Sequence, residues 1–162
     1  MRKILIFGNS GSGKSTLANK ICRTESLAHL DLDTLAWEPT TPPARAPLDS
    51  SAQQIEAFIA SNKGWAIEGC YTDLLNIALP NATEIIFMNL SIEQCIANAK
   101  LRPWEPHKYE SKEAQDANLN MLIEWIAQYK TRDDTFSKKA HTRFYEQYDG
   151  EKTMITQNAE NE

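Results

Sequence analysis

The sequence has no long hydrophobic run, few cysteines, few glycines and no excess of positive charge. No apolar stretch in the 162 residues approaches the roughly 18 to 20 that a membrane-spanning helix requires, so no membrane association is expected. The opening apolar stretch, Ile4 to Phe7, is too short for the core of a secretory leader. It runs into a glycine loop, not a cleavage site, and a cytoplasmic location is expected. Cys22, Cys70 and Cys95 are odd in number and widely spaced, which excludes a disulfide framework or a zinc knuckle and leaves three packed, reduced thiols. A net charge of −5 and a pI of about 5.3 argue against nucleic acid as the main partner, because phosphate neutralisation needs a basic surface. Glycine is scarce, yet three of the six glycines fall within one loop, Gly8, Gly11 and Gly13.

What is present is an alternation of short apolar runs with helical patterns. Lys3 to Phe7 (KILIF) is nearly all apolar and ends at glycine, as a central parallel strand covered on both faces does. Leu17, Ala18, Ile21 and Cys22 then repeat at helical spacing. Ala28 to Leu32, Trp65 to Glu68, Glu84 to Leu90 and Thr153 to Thr156 are predicted as further strands. Ala52, Ile55 and Ile59 mark a helix opened by Asp49 or Ser50. Ser91 and Gln94 form a capping box before Ile92, Cys95, Ile96 and Ala99. Leu119, Leu122, Ile123 and Ile126 mark a long helix, and Thr135 to Tyr148 another. Glu38 to Leu48 holds four of the seven prolines and is expected to be an irregular loop. Arg102 to Lys112 has no period at all, and Gln157 to Glu162 is a polar end expected to fray. The pattern predicts one α/β domain over residues 1–162, built on a parallel sheet.

The residues between the first strand and first helix carry the strongest chemical signal. Gly8, Gly13, Lys14 and Ser15 satisfy G-x-x-x-x-G-K-[ST], the phosphate-binding loop. Glycines let backbone N–H groups turn inward around phosphate oxygens, and the helix that follows points its positive dipole at them. Gly8, Ser10, Gly11, Ser12, Gly13, Lys14, Ser15 and Thr16 are therefore the expected phosphate cradle. Lys14 should reach the β- and γ-phosphates, the Ser15 hydroxyl should join a Mg²⁺ shell, and Thr16 should add a phosphate contact. No Asn-Lys-x-Asp pattern for guanine is present, so ATP is the default nucleotide.

Such a loop needs an acid at the end of a neighbouring strand to hold the metal's water shell. Glu68, before Gly69, resembles a Walker B ending with Glu in place of Asp. Asp31 and Asp33 close the second strand at i, i+2, so both point to one side of an extended chain. Either Glu68 or Asp31 is a candidate metal-organising residue; each also suits a helix cap or turn. Arg102 and Arg132, two of only six arginines, bracket the aperiodic segment and the helix after it, as a closing lid over a transferring phosphoryl group requires. Lys108 and Lys112 could assist. His107 and His141 are expected at the surface, while Trp37 and Trp104 suit either rim packing or the flank of a planar ligand.

With the loop, the Asp pair, the Glu-Gly and the lid in this order, the chain resembles the small P-loop kinases such as adenylate and shikimate kinases. Three segments, HLDLDTLAW (His29 to Trp37), WAIEGCY (Trp65 to Tyr71) and YKTRDDTFSKKAH (Tyr129 to His141), look most like the bacterial group known as topology modulation proteins. The resemblance implies a three-layer P-loop NTPase fold, with a five-stranded parallel sheet in the order 2-3-1-4-5 and a short lid at about 102–112. It implies a Mg²⁺- and ATP-dependent phosphotransferase acting on a small-molecule phosphoryl acceptor. Asp33 would meet the acceptor hydroxyl and Asp31 would help position the metal, while Glu68 holds the acid position of adenylate kinases. Lys14, Arg102 and Arg132 would act on the transferring group. The chain departs from both relatives: Cys70, Tyr71 and Thr72 stand where adenylate kinases place an arginine, and the glycine triplet of shikimate kinases is missing. The acceptor is therefore not assigned, and a nucleotide-switched regulatory ATPase is the alternative.

Overall fold

The first strand, β1 (Lys3–Gly8), alternates its side chains between two apolar layers, and everything else is arranged around it. Ile4 and Ile6 face one layer, Leu5 and Phe7 the other, and all four are fully buried. A computed structural model describes residues 1–158. In chain order the elements are β1, α1 (Lys14–Glu25), β2 (Ala28–Asp31), β3 (Trp37–Glu38), β4 (Ala44–Arg45), α2 (Leu48–Ser61), β5 (Trp65–Gly69) and α3 (Thr72–Ala78). They continue with β6 (Glu84–Met88), α4 (Ile92–Leu101), α5 (Lys112–Ala117), α6 (Leu119–Ala127), α7 (Lys138–Gln147) and β7 (Glu151–Ile155).

Five strands form one parallel sheet in the order β2-β5-β1-β6-β7, which is 2-3-1-4-5 when its own strands are counted along the chain. Helices cover both faces. Ala18 and Cys22 of α1, Cys95 and Ala99 of α4 and Ile126 of α6 pack against Ile4, Ile6 and Ile86. On the other face Ile55 of α2, Leu74, Leu75 and Ala78 of α3 and Phe144 of α7 pack against Leu5, Phe7, Ile67 and Phe87. This is the expected α/β three-layer sandwich. No helix among the described residues is long and apolar enough to cross a membrane.

Several local expectations are corrected. The proline-rich stretch is not wholly irregular: Trp37–Glu38 and Ala44–Arg45 pair antiparallel across a turn with a cis Thr41–Pro42 bond. Helix α2 starts earlier than expected, with Pro47 as its capping residue and no side-chain cap, so neither Asp49 nor Ser50 opens it. The capping box at Ser91 and Gln94 is present with both of its hydrogen bonds. Helix α3 has no counterpart in the sequence reading. At the chain's end, Ala159 to Glu162 lie outside the described residues. Asn158 is not frayed; it is hydrogen-bonded to the glycine loop.

Candidate functional site

The glycine loop leaves β1 at Gly8 and enters α1 at Lys14, and three left-handed or extended glycines shape it. Gly11 and Gly13 have φ of +80° and +90°, conformations that a side chain makes costly. A Cβ on Gly11 would also strike the Cys95 carbonyl oxygen of α4, so the loop is pressed against its neighbour as well as turned. Ser10, Gly11, Gly13, Lys14, Ser15 and Thr16 line a cavity of about 500 Å³. Gly8 and Ser12 do not. The Ser12 side chain is fully buried and its hydroxyl has no hydrogen-bond partner among the described residues, so only its backbone is available to a phosphate. Lys14 Nζ rests on the Asn9 carbonyl oxygen at 2.7 Å.

Glu68 is the next-to-last residue of β5, paired beside Ile6 of β1, and reaches the loop. The Ser15 hydroxyl donates to its Oε2 at 2.6 Å, and His29 Nε2 lies 3.0 Å from the same oxygen. That hydrogen bond is the main reason the His29 imidazole is pushed above its ordinary pKa, burial opposing it. A hydroxyl and a carboxylate, both lining the cavity next to the phosphate cradle, are oxygen donors of the kind Mg²⁺ takes, one or two carboxylates with water and phosphate completing the shell. No cluster of three or more His, Cys, Asp or Glu side chains suited to a metal exists among the described residues. A cation here would accordingly depend on the nucleotide and water.

Asp31 and Asp33 do face a common point, though not as neighbours along an extended strand. β2 ends at Asp31, whose Oδ1 accepts from the Asp33 backbone N–H at 3.0 Å and caps a short 3₁₀ turn, Leu32–Thr34. What relieves their repulsion is a lysine. Lys108 Nζ lies 2.8 Å from Asp33 Oδ2, 3.3 Å from Asp31 Oδ2 and 3.6 Å from Glu105 Oε2. Asp33 also accepts from the Tyr71 hydroxyl, which itself accepts from Trp37 Nε1 at 2.8 Å. Burial works to raise the Asp33 pKa, but Lys108, Tyr71 and Lys14 outweigh it and hold the carboxyl below its usual range. Burial works to lower that of Lys108, and its acidic partners more than reverse this. Both groups are therefore charged at neutral pH. Asp33, Glu68, Arg102, Glu105 and Lys108 line the same cavity as the loop; Asp31 does not.

Arg102 borders the cavity and is paired with Glu105 at 3.3 Å. Arg132 is not brought into the cavity. Its guanidinium lies 3.5 Å from the Trp125 ring centroid and is held by Asp134, folding the chain after α6 back upon itself. Lys112 is exposed and paired with Asp116. His141 is fully buried, correcting the expectation of a surface position, and His107 is half-exposed 3.6 Å from Asp31. Cys70 lines the cavity, but burial pushes its thiol up to about 12, so it is no nucleophile at neutral pH. All three cysteines are buried and free. A second, more open hollow of about 580 Å³, lined by Lys130, Lys138, Lys139 and Arg143 among others, shares no residue with the loop cavity. It holds none of the candidate residues.

No protein-family model matches the chain, and no curated protein matches it. Solved structures do. An unliganded sugar kinase from Janibacter sp. HTCC2649 superposes with a TM-score of 0.54 at 13% identity, over 96% of this chain and 85% of that one. A deoxyadenosine kinase from M. mycoides with bound dATP gives 0.48 at 17% identity over 95% and 90%. A shikimate kinase from Bacteroides thetaiotaomicron gives 0.43 at 15% identity over 90% and 97%. At such identities the likeness is one of fold: the chain has the fold found in small P-loop kinases.

Proposed function

We propose that the chain is an ATP-dependent phosphotransferase that moves the γ-phosphate of ATP to a small-molecule acceptor, a nucleotide, a nucleoside or a hydroxylated metabolite. The observation that carries this reading is the convergence on one cavity of the glycine loop, the Ser15–Glu68 pair, Asp33 and the basic residues of the 102–112 segment. The loop amides and Lys14 hold the phosphates, Lys14 exchanging the Asn9 carbonyl for phosphate oxygens. Ser15 and Glu68 would hold Mg²⁺, which when bound neutralises charge on the phosphates. Glu68 is preferred to Asp31 in this role because it lines the cavity beside Ser15, whereas Asp31 is turned to Lys108.

Asp33, ionised and already a hydrogen-bond acceptor, orients the acceptor's hydroxyl toward the phosphoryl group. Lys108 and Arg102 supply positive charge over its equatorial oxygens. Positioning and electrostatics account for such a transfer; no covalent bond to the protein is required. Arg132 is left out of this machinery because it does not reach the cavity.

The test is ATP consumption by the purified protein with Mg²⁺, across a panel of nucleosides, nucleotides, sugars and small hydroxy acids. One acceptor raising turnover well above the acceptor-free rate supports the transferase and names its substrate class. Uniform slow hydrolysis across the panel transfers the reading to a nucleotide-switched regulator, whose association with a partner would change on ATP binding.

A further inference from the structure

Lys108 is needed in two places at once. The transfer described above asks for its ammonium over the phosphoryl group and for an Asp33 carboxylate open to the acceptor's hydroxyl. Yet the two side chains are bonded to each other, Nζ to Oδ2 at 2.8 Å. The other Asp33 oxygen, Oδ1, accepts from the Tyr71 hydroxyl. Lys108 and Asp33 both line the loop cavity, so their ion pair stands where an acceptor hydroxyl would approach. A carboxylate with an ammonium against it is a poor partner for a neutral hydroxyl.

The hold on Lys108 is electrostatic. Asp31 Oδ2 at 3.3 Å and Glu105 Oε2 at 3.6 Å join Asp33 as three carboxylates around one ammonium. Glu105 also pairs with Arg102 at 3.3 Å, so both cations that the 102–112 segment brings to the cavity are turned to carboxylates. The backbone of the segment is braced separately. Gln115 of α5 accepts from the Glu105 backbone N–H at 2.9 Å and donates to the Pro103 carbonyl oxygen at 3.0 Å. Asn118 Nδ2 donates to the Tyr109 hydroxyl at 2.9 Å. An ammonium on a flexible four-carbon stem can change partners while those braces hold.

A triphosphate on the glycine loop supplies the competing partner. Its oxygens enter the cavity that Lys108 and Asp33 share and attract the ammonium away from the carboxylates. Asp33, left with Tyr71, is then free to accept from a hydroxyl.

We infer that Lys108 is a latch worked by the nucleotide: paired with Asp33 it closes the acceptor's seat, and by moving to the phosphates it opens that seat once ATP is bound. The inference rests on the reading of the loop as a nucleoside triphosphate site and of Asp33 as the acceptor's residue. A latch taxes phosphate binding, because its ion pair must be broken first.

The test is calorimetric binding of inorganic tripolyphosphate with Mg²⁺ to the full-length protein, Asp33→Asn, Lys108→Met and the double variant. Thermal midpoints check that each is folded, and Lys108→Gln replaces Lys108→Met if that variant is not. Asp33→Asn alone should tighten tripolyphosphate by about fivefold, the upper worth of a partly exposed ion pair. In the Lys108→Met background the same substitution should change affinity by less than about twofold. Lys108→Arg keeps the charge and should restore the gain. Equal gains in both backgrounds would reduce the effect to relief of charge repulsion. No gain in either would show that Lys108 stays on its carboxylates. Each of these two results overturns the latch and leaves the phosphate site standing. Failure of the unsubstituted protein to bind tripolyphosphate removes the nucleotide reading itself, and this inference with it.

Discussion

The Ser15 hydroxyl and the Glu68 carboxylate meet at 2.6 Å, tying the first turn of α1 to the end of β5 across the mouth of the cavity. Glu68 is 1% exposed, so its charge is held out of bulk water by the loop, His29 and the strands on either side. Such a carboxylate is costly to bury and calls for a compensating charge.

Replacing Glu68 by Gln tests what that charge is for. The amide keeps an acceptor oxygen for Ser15 and nearly the same volume, so stability should change by no more than about 1 kcal/mol. Turnover should fall by about a hundredfold and demand more Mg²⁺. Steady-state ATP consumption over a range of Mg²⁺ concentrations, with the thermal midpoint as control, measures both. Unchanged turnover at every Mg²⁺ concentration would dismiss Glu68 as a metal-organising residue.

Lys14→Ala removes the only side-chain cation of the glycine loop. In the free protein that ammonium is bonded to the part-buried carbonyl oxygen of Asn9, a partner that water can replace, so the fold should survive. Turnover should drop by about a thousandfold or more, because a charge meant for the β- and γ-phosphates is lost where water is excluded. Circular dichroism confirms the fold, and ATP consumption reads the loss. Full activity in a folded variant would exclude the loop as the site.

Asp33→Asn separates transfer from hydrolysis. The amide still bonds Tyr71 but is a weak acceptor for an incoming hydroxyl. Acceptor-stimulated turnover should therefore fall by about a hundredfold, the lower range for such groups. Hydrolysis without acceptor should stay within about threefold, since the loop and Glu68 are untouched. Parallel loss of both rates would place Asp33 among the groups that hold the nucleotide.

Which of these features were visible in the sequence follows from how local their causes are. The glycine loop, β1 and the capping box at Ser91 and Gln94 depend on residues a few positions apart, and all three were legible. Helix α3 was not. Leu74, Leu75 and Ala78 are buried and Asn76 is exposed, but seven residues are fewer than two helical turns, too short for that pattern to repeat. Lys108 lies in a stretch without period, and only the fold carries it to Asp33, 75 residues earlier. Arg132 follows the predicted lid in chain order, yet the turn after α6 lays it over Trp125 instead. The Asp pair was legible from its i, i+2 spacing, but the cation that sits between the two carboxylates, Lys108 on the 102–112 segment, was not. His141 gave no signal because its partners, Tyr129 and Cys70, lie 12 and 71 residues away.

That same histidine makes the fold sensitive to acid. His141 is fully buried, and the Cys70 carbonyl oxygen, which can only accept, fixes the proton on Nε2 at 2.8 Å. Nδ1 then accepts from the Tyr129 hydroxyl at 2.7 Å. Burial is the main cause holding this imidazole neutral, and its pKa is pushed down to about 4 from an ordinary 6.5. Between those values the unfolded chain binds the proton and the folded chain does not. Stability from this group is thus complete above about pH 6.5 and is lost as the pH falls toward 4, on the order of 3 kcal/mol in all. His141→Gln can still donate to one partner and accept from the other, but it does not titrate. The variant should be less stable by about 1 to 2 kcal/mol at pH 7.5, and the gap should close or reverse by pH 4.5. Urea unfolding of both proteins at pH 7.5, 6.5, 5.5 and 4.5 measures the difference. Curves that fall in parallel across that range would show that paired carboxylates, not His141, govern the loss of stability in acid.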